Sequence, residues 1–263
     1  MASEIFSRSL AALRARVAHD YGCEEAAFDS HDLTIVQRPP DLREKRLVAA
    51  VTFGTGTVIS ADASFLEMVR SLSFEKHFLA FGPQELAFPV IEEAHRRGIE
   101  VVVRYPGLGF VLSEEPAMPD SPQGLHFERW GKEQCMPWTT TFHNALWDDP
   151  SELDEFLYAL VLVDEERRPK AMTGAWREGD SLVEIGIDVL REARGLGLAP
   201  VITQAISRTI LDSGKLPTYY CAATNILSHR NAERSGFTPV LSASVVRPKK
   251  KPSAPSLGET TSA

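Results

Sequence analysis

The sequence predicts a mixed α/β (α+β) fold in which a mostly antiparallel sheet is flanked by helices, and three observations carry that prediction. Between residues 157 and 189, three strand-like runs, the first dense in Leu and Val, are separated by the polar turns Glu165–Pro169 and Gly179–Ser181, the pattern of an antiparallel meander. Immediately afterwards Leu198, Val201, Ile202, Ala205, Ile206, Thr209 and Ile210 recur every three or four residues, which is one buried helical stripe. Upstream, short helix-like and strand-like segments alternate as far as a proline-rich stretch at Ser113–Gln123, so a smaller N-terminal α/β domain is expected to precede the main one.

The chain has 263 residues, 43% of them hydrophobic, enough for a sizeable core in one large domain or two small ones. Its 28 Lys and Arg against 36 Asp and Glu give a net charge of -8, which argues against a binder of phosphate backbones, so no nucleic-acid partner is expected. Cys23, Cys135 and Cys221 are odd in number and far apart, so neither a disulfide framework nor a structural metal site is expected. Arg8, Arg14, Arg16 and His19 interrupt any apolar leader, and no apolar run approaches a membrane span. A reducing, cytoplasmic setting follows as the default.

Residues 3–20 carry Phe6, Leu10, Leu13 and Val17 at helical spacing among basic residues, an amphipathic helix that either lies on a membrane or packs on its own domain. Thr34–Gln37 and Arg46–Phe53 read as strands, Ala61–Leu72 and Gln84–Arg97 as helices, and Ile99–Arg104 as a strand after the stop at Gly98. The run Gly54-Thr55-Gly56-Thr57 is either a second phosphate loop or a turn; no helix begins directly after it. The expected organisation is an N-terminal domain over 1–120, a main domain over 121–247 and a disordered Pro/Ser/Thr/Lys-rich tail over 248–263.

In the second half Pro150 and Ser151 open a short helix with Asp154 as capping partner, followed by strands Leu157–Asp164, Lys170–Arg177 and Leu182–Val189. Beyond the striped helix come a strand Thr218–Ala223, a short helix Ser228–Ser235 ended by Gly236, and a strand Phe237–Val246.

Between Val189 and the striped helix lies Arg194-Gly195-Leu196-Gly197-Leu198-Ala199. A glycine-rich link into a helix start presents unpaired N–H groups and the positive end of the helix dipole, a natural seat for an anionic phosphate. Pro200 stands where a dinucleotide-binding fingerprint needs its third glycine, and the Gly-Lys-Ser/Thr of a nucleotide-triphosphate loop is absent. The segment does match Arg/Gln-x-x-Gly-x-Gly/Ala, as Arg194, Gly197 and Ala199.

With that loop, the strand Glu184–Val189, Asn225 and Ser228, and the ending Arg234-Ser235-Gly236-Phe237, the sequence resembles the GNAT superfamily of acyl-CoA-dependent N-acetyltransferases, in particular a bacterial subgroup of unassigned substrate. Phe142-His143-Asn144-Ala145-Leu146 is also similar to that subgroup; the likeness covers about residues 130–246. It implies a GNAT-type sheet with two splayed central strands, here Leu182–Val189 and Thr218–Ala223, and acetyl-CoA as cosubstrate without a metal. The first half is then expected to be a degenerate GNAT half.

The resemblance further implies that Arg194, Gly195, Gly197, Leu198 and Ala199 take the pyrophosphate of coenzyme A, that the thioester lies near Ile187 and Val189, and that Asn225 and Ser228 reach the cofactor from the other side. An amine must lose a proton before it attacks. Glu184 is the candidate base, against a structural carboxylate; Asp188 is the runner-up, against a residue that caps the following turn. His143, Asn144 and Trp147 either line the acceptor pocket or pack. Where many relatives carry a tyrosine as general acid this chain has Ala232, and Tyr219, Tyr220 and Cys221 read as packing residues. The implied activity is transfer of an acetyl group to a primary amine of a small molecule or protein by direct attack; the alternative is an inactive acyl-CoA sensor. A homodimer is compatible with either.

Overall fold

Ser3 opens the first helix, α1 (Glu4–Tyr21), by accepting a hydrogen bond from the Phe6 N–H at 3.1 Å, which satisfies one of the donors a helix start leaves unpaired. Gly22 closes it at φ 72°, its N–H turned back onto the last carbonyls. The buried stripe runs through Ile5, Ser9, Leu13, Val17 and Tyr21, rotated from the expected one so that Phe6 and Leu10 are only half-buried. That stripe packs on the sheet, so the helix spends its apolar face inside the molecule. The chain is described here by a computed structural model over residues 2–40, 42, 46–76, 80–146 and 153–249. Trp147, the expected helix start at Pro150 and Ser151, and the tail from residue 250 onward lie outside the described residues.

The first half continues with strands β1 (Leu33–Gln37), β2 (Val48–Thr52) and β3 (Thr57–Ala61), helices α2 (Leu66–Ser71) and α3 (Phe88–Arg96), and strand β4 (Val101–Leu112). The helix expected over 61–72 begins only at Leu66, because Thr57–Ala61 is a strand buried at every position and therefore shows no alternation to read. The glycines at 54 and 56 make the β2–β3 hairpin turn and no phosphate loop: Thr52 donates its hydroxyl to the Gly56 carbonyl at 2.6 Å, and a Cβ at Gly56 would meet the Ala27 carbonyl oxygen at 2.1 Å. Strand β4 runs eight residues past its expected end at Arg104. The register shifts around Tyr105 and Pro106, and that bulge lets a proline sit inside the sheet.

The second half supplies β5 (His126–Trp130), α4 (Lys132–Cys135), β6 (Phe156–Val163), β7 (Pro169–Glu178), β8 (Leu182–Val189), α5 (Leu198–Asp212), β9 (Leu216–Ala222), α6 (Ile226–Arg234) and β10 (Phe237–Pro248). Neither β5 nor α4 was expected from the sequence; both are short, and only Trp130 of β5 is buried.

The ten strands of the described residues form one sheet in the order β1-β3-β2-β10-β4-β9-β8-β7-β6-β5. Pairing is antiparallel except for β1 with β3 and β8 with β9. The last strand of the first half, β4, is inserted between β9 and β10, and β10 pairs outward with β2, so the sheet crosses the sequence boundary near residue 120 without interruption. The apolar core follows both faces: α5 lies over β6–β9, α6 over β9 and β10, and α1 over β3 and β4.

Candidate active site

Strands β8 and β9 run side by side for four register steps, from Leu182 opposite Leu216 to Ile185 opposite Tyr219, and pairing stops there. Yet β8 continues to Val189, still paired to β7, and β9 continues to Ala222, still paired to β4. The sheet therefore parts in its middle, leaving Gly186–Val189 with one unpaired edge. Such an edge holds backbone donors and acceptors that an extended ligand can complete.

On one face of this gap stands the glycine-rich loop. Gly195 and Gly197 have φ of 83° and 73°, a left-handed geometry that side chains resist, and residues 194–197 are exposed. Gly197 is the N-cap of α5 and offers no side chain to cap it, and no acidic residue occupies the first turn, so the leading N–H groups face outward. Buried Leu198 anchors the helix start on the core, while Ile187 and Val189 of β8 pack beside it. The Arg194 Nε donates to the Val189 carbonyl at 3.3 Å, tying the loop to the end of β8.

Asn225 and Ser228 lie on the same face, both occupied by the fold. Asn225 caps α6, its Oδ1 accepting from the Ser228 N–H at 3.2 Å. The Ser228 hydroxyl is 2.7 Å from that of Tyr219, which also accepts from Asn231 Nδ2 at 3.4 Å, and Asn231 donates to Thr203 at 3.0 Å. Burial raises the Tyr219 phenol pKa, and burial likewise raises the half-buried Cys221 thiol against an opposing hydrogen bond from Ser228. Neither group is activated as a nucleophile. Ala232 is fully buried in the core with Tyr219 and Phe237.

Alternation along β8 turns Glu184, Gly186 and Asp188 to the opposite face. There the segment 142–146 crosses the sheet, held at its ends by buried Phe142 and Leu146. It runs so close that a Cβ on Gly174 would fall 1.8 Å from the Ala145 carbonyl oxygen and one on Gly186 1.9 Å from that of Asn144. The Asp188 carboxylate accepts from the Asn144 N–H at 2.7 Å, the Ala145 N–H at 3.1 Å and Asn144 Nδ2 at 2.6 Å. Asp188 is thus a clamp on a distant segment and not the cap of its own turn. The clamp brings His143 and Asn144 to the mouth of the gap, both exposed and 3.2 Å apart through their side-chain nitrogens.

Glu184 is exposed on this face, opposite Thr218 and one step before the last β8–β9 pair. Beside it the structure adds a residue that the sequence did not single out. Glu178 of β7 accepts from the Thr218 hydroxyl at 2.6 Å and from the Tyr220 hydroxyl at 2.6 Å. Burial raises its pKa, with the two hydroxyls opposing. Tyr220 is therefore more than a packing residue; burial, then the charges of Glu178 and Glu184, keep its phenol protonated and donating. A glutamate at a strand end carries no sequence signal, whereas a glycine within a strand, as at Gly174 and Gly186, is a cue to a close backbone approach that the sequence reading passed over.

The parted strands thus separate two surfaces: an anion-accepting loop and helix start on one side, and carboxylates, a phenol and a histidine on the other. Such a site can hold an anionic extended ligand and receive a proton from something approaching from the far face. Among the described residues no group of three or more His, Cys, Asp or Glu is placed to hold a metal ion, and no helix is long and apolar enough to cross a membrane.

No family profile and no curated protein matches the sequence. Solved structures are similar to parts of it. A Drosophila protein is 21% identical over 62% of this chain and 57% of that one, with a TM-score of 0.50. A protein of the GNAT family from Novosphingobium aromaticivorans is 22% identical over 59% of this chain and 69% of that one, with a TM-score of 0.47. A tandem GNAT protein from the clavulanic acid biosynthesis pathway is 16% identical over 65% and 60%, with a TM-score of 0.45.

Proposed function

We propose that this chain, whose mixed sheet with parted central strands is a GNAT fold, transfers an acetyl group from acetyl-CoA to a primary amine of a small molecule or protein by direct attack. The parting of β8 from β9 beyond Ile185 and Tyr219 carries the reading, because it provides an extended slot that ends at an anion-accepting helix start. The residues fit the cofactor: the N–H groups of exposed Gly195 and Gly197 and of Leu198 and Ala199 in the first turn of α5 suit a pyrophosphate, with the Arg194 side chain in the same loop. When bound, acetyl-CoA supplies a thioester as the acyl donor. The unpaired backbone at Ile187 and Val189 would hold the pantetheine arm and steady the developing oxyanion. Asn225 and Ser228, at the start of α6, stand on the side from which the cofactor would be flanked. His143 and Asn144 would meet the acceptor, and Glu184 on their face is within the set of groups that would receive its proton.

Two measurements test this together. Calorimetry with coenzyme A should give saturable binding that a Gly197→Ala variant weakens. Release of free thiol from acetyl-CoA should rise with at least one member of a panel of primary amines. Binding without any amine-dependent release would favour a second reading, an acyl-CoA sensor, and one observation supports it: the position where many relatives place an acidic tyrosine is the buried Ala232.

A further inference from the structure

Tyr220 is the first residue of β9 beyond the last β8–β9 pair, so it stands at the lip of the gap, on the face that carries His143 and Asn144. Its hydroxyl donates to Glu178 Oε1 at 2.6 Å, and Thr218 fixes the other oxygen, Oε2, at the same distance. On its far side Glu178 lines a cleft between α1 and the β7–β8 turn, together with Ala12, Arg16, His19, Asp180 and Ser181. One carboxylate therefore joins the buried hydroxyl of a tyrosine whose backbone stands at the lip of the gap to a cleft open to water. Glu184, whose position the family likeness favours, lies on the same face, and its charge acts on Tyr220.

Resting on the acetyltransferase reading, we propose that Tyr220 and Glu178 form the path by which the acceptor amine loses its proton. An ammonium N–H bond breaks as its proton passes to Tyr220 Oη, while the phenolic proton passes to Glu178 Oε1. The freed lone pair attacks the acyl carbon; as the carbon–sulfur bond breaks, the remaining surplus N–H proton of the tetrahedral adduct passes through water to the departing thiolate, and Glu178 returns its proton to water in the cleft, which resets the pair. Thr218 positions the carboxylate. The charged groups that face it are Arg16 and Asp20 from α1, with His19 and Asp180 on the cleft wall and Glu184 beside Tyr220. Burial raises the Glu178 pKa toward the range in which a general base works best.

The test is kinetic, with a structural arm that needs no acceptor. Glu178→Gln and Tyr220→Phe should each lower kcat about 100-fold or more with coenzyme A affinity unchanged. The double variant should be no worse than either single one, because the two groups act as a unit. Glu178→Gln should also erase the acidic limb of the pH–rate profile, and Glu178→Asp should restore part of the rate. Full rates in either single variant, multiplicative losses in the double, or a loss confined to Glu184→Gln would overturn the proposal. If the wild type releases no thiol with any amine, the acetyltransferase reading fails on its own. Infrared titration of the apo chain then decides whether the pair exists: a carboxyl group titrating above the usual glutamate range should be present, moved by Tyr220→Phe and absent in Glu178→Gln, and its absence in the wild type would refute the pair.

Discussion

The carbonyl oxygen of Asn144 occupies the space that a side chain on Gly186 would need, since an ideal Cβ there would fall 1.9 Å from it. Gly174, paired with Gly186 across β7 and β8, meets the Ala145 carbonyl in the same way. These two glycines let an irregular segment lie directly on the sheet at the mouth of the gap. A Gly186→Ala change must push backbone aside, which neighbouring strands resist. We expect a loss of about 1–3 kcal/mol, as for overpacked cores. Thermal unfolding should read it as a Tm lower by several degrees, and an unchanged Tm would mean that the segment is free to lift.

Asp188 holds that segment by three hydrogen bonds, two of them to backbone N–H groups. Asp188→Ala leaves those donors without their acceptor, at a cost of about 1–3 kcal/mol. Amide hydrogen exchange should accelerate at Asn144 and Ala145 and stay unchanged along α5. Under the acetyltransferase reading, acceptor KM should rise while coenzyme A affinity holds.

How much of this was legible in the sequence depended on periodicity. Strand β8 lies over Leu182–Val189 as read, and α5 begins at Leu198 as read, because sharp turns and a clean helical stripe bound them. The first half was read less well. Strand β3 is buried at every residue and gave no alternation, and β4 contains Pro106, Gly107 and Gly109, residues that normally argue against a central strand. No local pattern could reveal that β4 enters the sheet between β9 and β10, since that pairing joins residues more than 100 positions apart. The candidate site divides similarly. The glycine loop was visible as a motif and the parted strands were implied only by the family resemblance, whereas the Glu178–Tyr220 contact depends on strand register and appears only in three dimensions.

Gly197 combines a backbone role with a ligand role. At φ 73° it begins α5, and alanine there costs about 1–2 kcal/mol of left-handed strain. Gly197→Ala should therefore lower stability modestly and weaken coenzyme A binding by about tenfold or more. A variant that loses stability but binds coenzyme A as tightly as the wild type would separate the turn from the cofactor site.

Glu128 links β5 to the β6–β7 turn, with Arg167 Nε and Nη2 at 2.8 and 2.7 Å and Trp130 Nε1 at 2.7 Å. Arg167, then Trp130, lower its pKa from the usual 4.5 to about 2. A carboxylate depressed in the folded state contributes stability above its unfolded pKa and loses it as pH falls through the folded value. Stability against denaturant should accordingly fall as pH drops from about 4.5 to 2, and Arg167→Ala should flatten that part of the profile. An identical slope in both proteins would show that the pair contributes nothing measurable.

Restoring a tyrosine at Ala232 tests whether the missing general acid is a simple vacancy. Ala232 has no exposed surface and shares its core with Tyr219 and Phe237, whose rings lie 5.7 Å apart. The buried neighbour Asn231 is already tied to Tyr219 and Thr203. A phenol forced into that position would overpack the α6–β9 contact before its hydroxyl reached the gap. Ala232→Tyr is therefore expected to lower the Tm and to leave turnover unimproved. A stable variant with faster thiol release would mean instead that α6 yields, and that the buried alanine marks an acid this chain has lost.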